Sequence, residues 1–257
     1  MHRLKSMILA FSMYSKIPMP HLELEEKDMK YVMGFFPFVG LVLGGCIYGW
    51  YRLSVWLGVN PLSSTLILLI LPILITGGIH VDGYMDTMDA IHSYGDREKK
   101  LAILKDSHIG AFAVIMLMVY LTACFAALAQ LTTSQRPELF GMLALTFYLS
   151  RILSGISAVN LKSARKNGML HTFTSVADRR RVNIMLAVQF FFCAAGLLYL
   201  EIKAGICVLV TAVLVWCYYR YMAYKQFGGI TGDLAGYLLC TCELWTTIVL
   251  AAYSLCS

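Results

Sequence analysis

Three aspartates between Gly77 and Asp89 are the residues whose type and spacing best suit chemistry. Asp82, Asp86 and Asp89 follow one another at i, i+4 and i+7, so a helix would place all three on one face. Like charges on one stripe repel each other, and a cation between them would offset that repulsion. The carboxylate oxygens of the three aspartates suit Mg²⁺ or Mn²⁺ as ligands. The helix rises by roughly 10 Å from the first aspartate to the last, which favours one ion between neighbouring aspartates or two ions in a row. The alternative is a solvated helix face that binds no metal.

The same segment continues into further groups that could take part in a reaction. Residues 97–104 alternate charge and leucine as a short amphipathic helix does, and Lys105 and Asp106 follow them. Lys105 is either a phosphate contact or a lysine that only fixes membrane orientation. His80 and His108 are candidate acid–base groups, and either could instead be structural. The roles of these four residues therefore depend on what surrounds them.

Two more polar loops contain residues suited to binding an anion. Arg165 lies on a turn that ends at Gly168. A glycine-rich run follows later in the chain, and its candidate residues are Gly228, Gly229, Thr231, Gly232 and Asp233. Glycines let a backbone approach a phosphate closely, although a turn between helices uses them equally. Carboxylates for a divalent cation and cations for a phosphate together indicate phosphoryl or nucleotidyl chemistry.

Two charged residues lie inside apolar segments. Arg151 is near the middle of one such segment, with serines nearby, and Glu243 lies in the last one. Charges within a membrane usually face a polar cavity and serve function. We therefore predict that Arg151 contacts a substrate phosphate. The alternative is an ion pair with Glu243 or Asp233 that joins two helices.

Composition indicates which elements must position these groups. Of the 257 residues, 59% are hydrophobic and 14% are charged, and the mean hydropathy is +0.69. This excludes an ordinary soluble domain, in which about 25% of residues are charged, and it excludes intrinsic disorder. The net charge of +6 reflects the placement of Lys and Arg in loops on one side of a membrane, and no nucleic-acid partner is expected. The chain is therefore predicted to be a polytopic membrane protein.

The predicted fold is an all-α transmembrane helical bundle of about seven spans, with six or eight as alternatives. Each span needs about 20 mostly apolar residues. The stretches that qualify are Tyr31–Tyr51, Leu62–Ile79, Ala111–Gln130, Leu139–Val159, Asn183–Leu200, Ala204–Tyr219 and Tyr237–Leu255. In the N-terminal segment, residues 1–30, apolar residues recur at helical spacing, which predicts an amphipathic helix at the membrane interface.

The distribution of positive charge predicts how these spans are oriented. Of the 21 Lys and Arg residues, 17 lie on the side that holds the N-terminus, three lie on the other side, and Arg151 lies within a span. Positively charged loops face the cytoplasm, so the loops 76–110, 160–182 and 225–236 share the cytoplasmic face of the cell membrane. The whole chain, 1–257, is thus predicted to be one integral-membrane catalytic domain with its site on that face.

The polar segments also resemble the motifs of a known family, the cobalamin synthases. The resemblance is most specific in the first motif, which reads Gly-Gly-Ile-His-Val-Asp-Gly-Tyr-Met-Asp-Thr-Met-Asp in this chain. The chain departs from the family pattern at His108, where many relatives carry arginine, and at Cys240, where some carry glutamate. The matching segments are residues 77–89, residues 105–110, the pairs Ser150-Arg151 and Ala164-Arg165, and residues 228–233 with Glu243.

This resemblance implies a Mg²⁺-dependent transferase of late vitamin B12 biosynthesis. Such an enzyme joins adenosylcobinamide-GDP to α-ribazole, or to α-ribazole 5′-phosphate, and releases GMP. Its partners would be these substrates and the lipid bilayer, while contact with other enzymes of the pathway and a homo-oligomer stay open. The sequence features alone predict metal-assisted phosphate chemistry, and only the resemblance implies a corrinoid substrate.

The resemblance also implies roles for individual residues. Asp82, Asp86 and Asp89 would hold Mg²⁺, and Asp233 could hold a second ion. The remaining catalytic candidates are His80, Lys105 and Asp106. The hydroxyl proton would pass to the histidine of this set or to a metal-bound carboxylate. The candidate substrate contacts are Arg151, Arg165, Gly228, Gly229, Thr231, Gly232 and Glu243.

Two other classes of protein remain as alternatives. A CDP-alcohol phosphatidyltransferase also uses clustered aspartates, but its pattern continues with further aspartates beyond the position of Asp89, where this chain has Ala-Ile-His-Ser. A cation-coupled transporter would place its acids near mid-membrane and would favour an internal repeat, which the sequence lacks. The transferase prediction accounts for more of the polar segments than either alternative.

Overall fold

A computed structural model describes residues 2–20, 22, 25–165 and 169–256. Within these ranges the chain is helical, and its one isolated β-bridge joins Ser163 to Ile230. The α-helices are α1 (His2–Tyr14), α2 (Val32–Leu57), α3 (Pro61–Thr76), α4 (Ile79–His92), α5 (Arg97–Ile103), α6 (Ala111–Ser134), α7 (Pro137–Asn160), α8 (Met169–Ser175), α9 (Arg179–Leu200), α10 (Ile202–Met222) and α11 (Gly232–Cys256). A 3₁₀ turn at Glu26–Met29 precedes α2, and a π-helical turn at Ala223–Phe227 extends α10. The prediction of an all-α fold is confirmed.

Six of these helices are long and apolar enough to cross a membrane, namely α2, α6, α7, α9, α10 and α11. Helix α3 has 16 residues and meets the criterion only together with α4, from which it is bent by 94°. The described residues therefore contain six spans, or seven if the bent pair is one broken span, in agreement with the predicted polytopic bundle. Only Glu201 separates α9 from α10, so these two helices are joined by a tight turn.

Two glycines cause the bend between α3 and α4. Gly77 and Gly78 have φ angles of +67° and +79°, a left-handed conformation that glycine adopts readily and other residues avoid. The N–H of Gly78 donates to the carbonyl oxygen of Ile73 at 2.9 Å, which closes α3 as helix C-termini commonly do. The predicted span Leu62–Ile79 is therefore too long, because its helix ends at Thr76 and the acidic motif begins a new helix.

Helix α7 lies at the centre of the bundle and packs against α2, α9 and α11. Its contact with α2 passes through Gly40 and Gly44, where an added Cβ would overlap the carbonyl oxygens of Phe147 and Ala144. Small residues permit this close backbone approach, and the resulting van der Waals contact stabilises helix pairs in lipid, where the hydrophobic effect does not. The tight α2–α7 contact fixes the position of Arg151, which lies one turn beyond Phe147.

The outer faces of α6, α9 and α10 expose large apolar side chains. Phe191 and Phe192 on α9 are 67% and 66% exposed, and Val114 and Met118 on α6 are also exposed. An apolar surface of this extent is unfavourable in water and is expected where helices face lipid. The exposed faces thus agree with the membrane location that the composition predicts.

The N-terminal helix α1 is held against the bundle by polar contacts. Ser6 Oγ donates to the carbonyl oxygen of Asp28 at 2.6 Å, and the buried Asp28 carboxylate lies 2.8 Å from Nδ1 of His2. Helix α1 packs on α2 and leaves Leu4 exposed on its outer face. The helix predicted in residues 1–30 is therefore confirmed over His2–Tyr14, while its contact with the membrane interface stays a prediction.

Exposed residues permit a direct test of the predicted orientation. Tyr94, after α4, and Tyr199, at the end of α9, are 93% and 90% exposed, and three spans separate them. With the eight native cysteines replaced, we expect Tyr94→Cys to react with an impermeant maleimide only in permeabilised cells, and Tyr199→Cys to react in intact cells. Labelling of position 94 in intact cells would contradict a cytoplasmic site.

Candidate active site

Helix α4 carries the three aspartates of the acidic motif on one stripe, as the sequence predicts. Asp82 is exposed, whereas Asp86 and Asp89 are half-buried. The buried residues of α4 are His80, Gly83, Tyr84, Thr87 and Ala90. Because α4 packs this buried face against α6 and α11, the acidic stripe is held in a fixed direction.

A close contact between α4 and α11 brings a fourth carboxylate to this stripe. A Cβ on Gly83 would lie 2.8 Å from the carbonyl oxygen of Asp233, and a Cβ on Gly236 would lie 2.7 Å from that of His80. These distances are below normal contact, so only glycine allows the two backbones to approach this closely. The contact places Asp233, in the first turn of α11, beside the aspartates of α4. We name Asp82, Asp86, Asp89 and Asp233 the acidic groove.

Burial and repulsion within the acidic groove both act on Asp86. Together they raise its pKa to about 6, and burial is the largest cause, followed by the neighbouring Asp82, Asp233 and Asp89. Among the described residues, none forms a hydrogen bond or ion pair with the carboxylates of the three α4 aspartates. In the part of the chain that the structure describes, the negative charge of these three side chains therefore has no paired cation.

The donor set of the groove fits Mg²⁺ when only one or two carboxylates bind each ion. Within residues 2–20, 22, 25–165 and 169–256, no three His, Cys, Asp or Glu side chains converge closely enough to hold one metal ion. Mg²⁺ usually keeps several waters and takes one or two carboxylates together with substrate phosphates. The spread of the stripe along α4 suits that mode, which is also the pairwise arrangement that the sequence favours.

The glycine-rich run pairs with the loop that follows α7. Ile230 exchanges two backbone hydrogen bonds of 2.9 Å with Lys162 and Ala164. The N–H groups of Gly228 and Gly229 donate to carbonyl oxygens of the preceding π-helical turn, at 3.1 and 3.2 Å. These N–H donors are used within the turn, as the alternative of a turn between helices requires, and contact of the two glycines with substrate stays a prediction.

This pairing of loops brings three predicted site residues together. Arg165 Nη1 lies 3.9 Å from Oδ2 of Asp233, and its guanidinium also donates to the carbonyl oxygen of Leu101 in α5. Thr231 Oγ1 accepts the N–H of Leu234 at 3.2 Å and donates to Asp233 at 3.3 Å. Gly232, the next residue, is exposed, and a Cβ there would meet open space. Arg165 is thus a cation at the edge of the acidic groove, and its contact with substrate stays a prediction.

The loop between α5 and α6 reaches the groove through Gly110, where an added Cβ would overlap the carboxylate of Asp89. Earlier in this loop, Asp106 accepts the backbone N–H of His108 at 3.0 Å and lies 2.6 Å from its Nδ1. These bonds, the backbone one first, hold the pKa of Asp106 below its ordinary range. Lys105 and Asp106 are exposed, and neither forms a described hydrogen bond or ion pair with the groove. Their catalytic roles stay predictions.

The other cation loop is described only as far as Arg165, so the turn predicted to end at Gly168 lies outside the described residues.

His80 lies in the first turn of α4, between two aromatic side chains that the sequence reasoning missed. Its ring centroid is 6.2 Å from that of Tyr14 on α1 and 6.0 Å from that of Phe36 on α2. His80 is 7% exposed, and its Nε2 has no hydrogen-bond partner among the described residues. The helical spacing of apolar residues in α1 predicts an apolar face, but no pattern in the sequence shows that this face lies next to His80 of the acidic motif.

Arg151 and Glu243 form a buried ion pair with each other, which is the alternative that the sequence left open, and their contact with substrate stays a prediction. The residues are 1% and 8% exposed, and Arg151 Nη1 donates to Oε1 of Glu243. Ser150 Oγ donates to the same carboxylate at 2.8 Å, and the carbonyl oxygen of Phe147 accepts from Arg151 at 3.2 Å. Both side chains are buried, and the Nε–H of Arg151 has no hydrogen-bond partner among the described residues. The alternative, an ion pair that joins α7 to α11, describes both residues.

The glycine contact between α4 and α11 yields a prediction with a matched control. Gly83→Ala is expected to lower kcat by about tenfold or more, because the added methyl overlaps the backbone at Asp233 and separates the carboxylates of the groove. Gly49→Ala, at an exposed position on α2, adds the same methyl where nothing lies within 4 Å and should leave both the α4–α11 contact and kcat nearly unchanged. Steady-state kinetics and the melting temperature in detergent check both variants. Equal activity of the two would show that the close approach is not required.

Together, the bundle and the acidic groove with its flanking arginine define a multi-pass membrane transferase. The family model described as cobalamin-5-phosphate synthase matches residues 6–251, and the chain belongs to this family. The resemblance seen in the motifs is therefore confirmed. Membership of this family also favours the transferase prediction over a CDP-alcohol phosphatidyltransferase or a cation-coupled transporter.

Curated relatives extend this similarity over nearly the whole chain. A protein of Lachnoclostridium phytofermentans named adenosylcobinamide-GDP ribazoletransferase is 42% identical over 241 residues, which cover 94% of this chain and 91% of the relative. Proteins with the same name from Clostridium botulinum and Desulfitobacterium hafniense are 31% and 32% identical, and each match covers at least 92% of both chains. No solved structure matches this chain.

Proposed function

We propose that this chain joins adenosylcobinamide-GDP to α-ribazole, or to its 5′-phosphate, at the cytoplasmic face of the cell membrane, with Mg²⁺ as cofactor. The names of its relatives supply the two substrates. The observation that carries the proposal is the acidic groove, in which carboxylates of α4 and α11 meet beside Arg165. Such a groove can bind the metal that a diphosphate needs and can accept a proton from a hydroxyl. Adenosylcobinamide-GDP supplies the diphosphate, and α-ribazole supplies the ribose hydroxyl.

The proposed reaction is a displacement at phosphorus. A ribose hydroxyl oxygen of α-ribazole forms a bond to the phosphorus that is attached to cobinamide, and the bond from this phosphorus to the oxygen of GMP breaks. One or two of Asp82, Asp86 and Asp89 would hold each Mg²⁺ ion, and Asp233 would hold a second ion. The bound metal would supply positive charge that offsets the charge of the diphosphate and of the departing GMP. No covalent intermediate with the protein is needed, so positioning and charge compensation carry the catalysis.

The chain's own residues supply the remaining requirements. Arg165, at the edge of the groove, can donate two parallel hydrogen bonds to phosphate oxygens, which a lysine cannot copy. The hydroxyl proton would pass to a carboxylate oxygen of the groove. A carboxylate of the groove is better placed for this role than His80, which is 7% exposed and lies between the rings of Tyr14 and Phe36.

The test of the proposed function is product analysis with purified protein in detergent or nanodiscs. Adenosylcobinamide-GDP, α-ribazole and Mg²⁺ are expected to give GMP and adenosylcobalamin in equal amounts, with no product after chelation by EDTA. The same assay with α-ribazole 5′-phosphate should give the phosphorylated product. Release of GMP at the same rate without α-ribazole would indicate a hydrolase and would overturn the proposal.

A further inference from the structure

A cavity of about 320 Å³ opens beside the acidic groove, between α1, α2, α4, α7 and α11. Asp82, Asp233 and Gly232 line one part of this cavity, and Tyr14, Phe36 and His80 line another. Asp82 and Gly232 are exposed, whereas Phe36 and His80 are 3% and 7% exposed. The cavity therefore leads from an acidic mouth to a buried aromatic end.

We propose that the aromatic end of this cavity binds the dimethylbenzimidazole base of α-ribazole and so places the ribose at the acidic mouth. This inference rests on the proposed function and adds to it which substrate enters the bundle. The volume is at the lower end of the range for small-molecule sites, ~300–1000 Å³, and suits a planar base with a sugar. The corrin ring with its side chains is far larger and stays outside.

The aromatic side chains at the buried end suit a planar heteroaromatic ligand. The rings of Tyr14 and Phe36 have centroids 4.3 Å apart and are tilted by 48°. Aromatic groups in such tilted arrangements present both faces and edges, which a bicyclic base can meet by stacking or by edge contact. Met33 and Leu239 also line the cavity and can contact the two methyl groups of the base.

The polarity of the lining separates this base from guanine, the other base among the substrates. Guanine carries an amide and an amino group, and each would need a hydrogen-bond partner after burial. Dimethylbenzimidazole in α-ribazole has one free ring nitrogen, which is an acceptor only. His80 Nε2 is a buried polar atom without a described partner and can donate one hydrogen bond to this nitrogen. The His80 donor matches this one acceptor, and the other uncharged polar side-chain groups of the lining are the hydroxyls of Tyr14 and Ser154.

The closing experiment measures which substrate loses affinity when the cavity is filled. Ala235 lines the cavity, and Ala235→Leu is expected to raise KM for α-ribazole by about tenfold or more, with KM for adenosylcobinamide-GDP unchanged within about twofold. Phe36→Leu, which removes the aromatic face, should act in the same direction. Ala252→Leu, an exposed position on the same helix, is the matched control and should leave both constants unchanged.

A second measurement uses the unaltered protein and does not depend on how a variant folds. Free 5,6-dimethylbenzimidazole is expected to inhibit competitively against α-ribazole and not against adenosylcobinamide-GDP. Competition against adenosylcobinamide-GDP, or equal rises of both KM values in Ala235→Leu, would overturn the inference. If the unaltered protein forms no product, the proposed function fails. Equilibrium dialysis with labelled α-ribazole then still decides the inference, which stands if binding is lost in Ala235→Leu and falls if binding is unchanged.

Discussion

Asp86→Asn and Asp233→Asn are each expected to lower kcat/KM by about 10²- to 10³-fold, because each removes one charge from the acidic groove and leaves the side-chain volume unchanged. The two residues lie on different helices, so a similar loss in both would show that α4 and α11 form one site. Glu98→Gln is the matched control, since Glu98 is an exposed acid on α5, outside the groove. Its activity should stay within about twofold of the unaltered protein.

The same substitution at Asp86 is expected to raise stability while it lowers activity. The folded-state pKa of Asp86 is raised to about 6, above the ordinary value of an aspartate, so folding binds a proton between these two values. Stability is therefore lost as pH rises through about 6, and Asp86→Asn removes that loss. In the absence of divalent cations, the melting temperature should fall less between pH 4.5 and pH 7.5 for Asp86→Asn than for the unaltered protein.

These outcomes distinguish a site from a solvated helix face. If both Asn variants kept full activity, the acidic groove would not be the catalytic site, whatever its charge. If Asp86→Asn lost activity and also stability, the carboxylate would be a structural partner rather than a functional one. Loss of activity without loss of stability is the result expected if the Asp86 carboxylate serves the reaction and its charge destabilises the fold.

The parts of the fold and site that the sequence predicts are those that depend on local periodicity. The i, i+4, i+7 spacing of Asp82, Asp86 and Asp89 specifies one helix face, and the structure confirms that they share a helix. Long apolar runs likewise predict the six long helices. The end of the second predicted span was wrong because Gly77 and Gly78 take left-handed conformations that hydropathy does not register.

The parts that sequence reasoning missed depend on contacts between distant segments. Gly83 belongs to a motif, but its packing partner Gly236 lies on another helix, and no spacing rule joins the two. The same holds for Tyr14, which reaches His80 only because α1 packs on α2. A motif containing glycine between aspartates indicates close packing in general, and the partner appears only when the helices are assembled.

Breaking the buried ion pair between Arg151 and Glu243 is expected to lower the stability of the protein strongly. Arg151→Met alone, or Glu243→Leu alone, is expected to lower the melting temperature in detergent by about 6 °C or more, because each leaves one buried charge unpaired at a cost of about 3–5 kcal/mol. Arg52→Met, at an exposed position on α2, is the matched control and should leave the melting temperature nearly unchanged.

The double variant Arg151→Met with Glu243→Leu decides between the two interpretations of this arginine. If the pair only joins α7 to α11, two apolar side chains of similar volume should restore most of the lost stability, as replacement of a whole buried ion pair often does. Activity should return with stability, because the groove would again be correctly assembled. If Arg151 instead contacts a substrate phosphate, the double variant would be stable and nearly inactive. The burial of both side chains and the direct Arg151–Glu243 bond lead us to expect recovery of both stability and turnover.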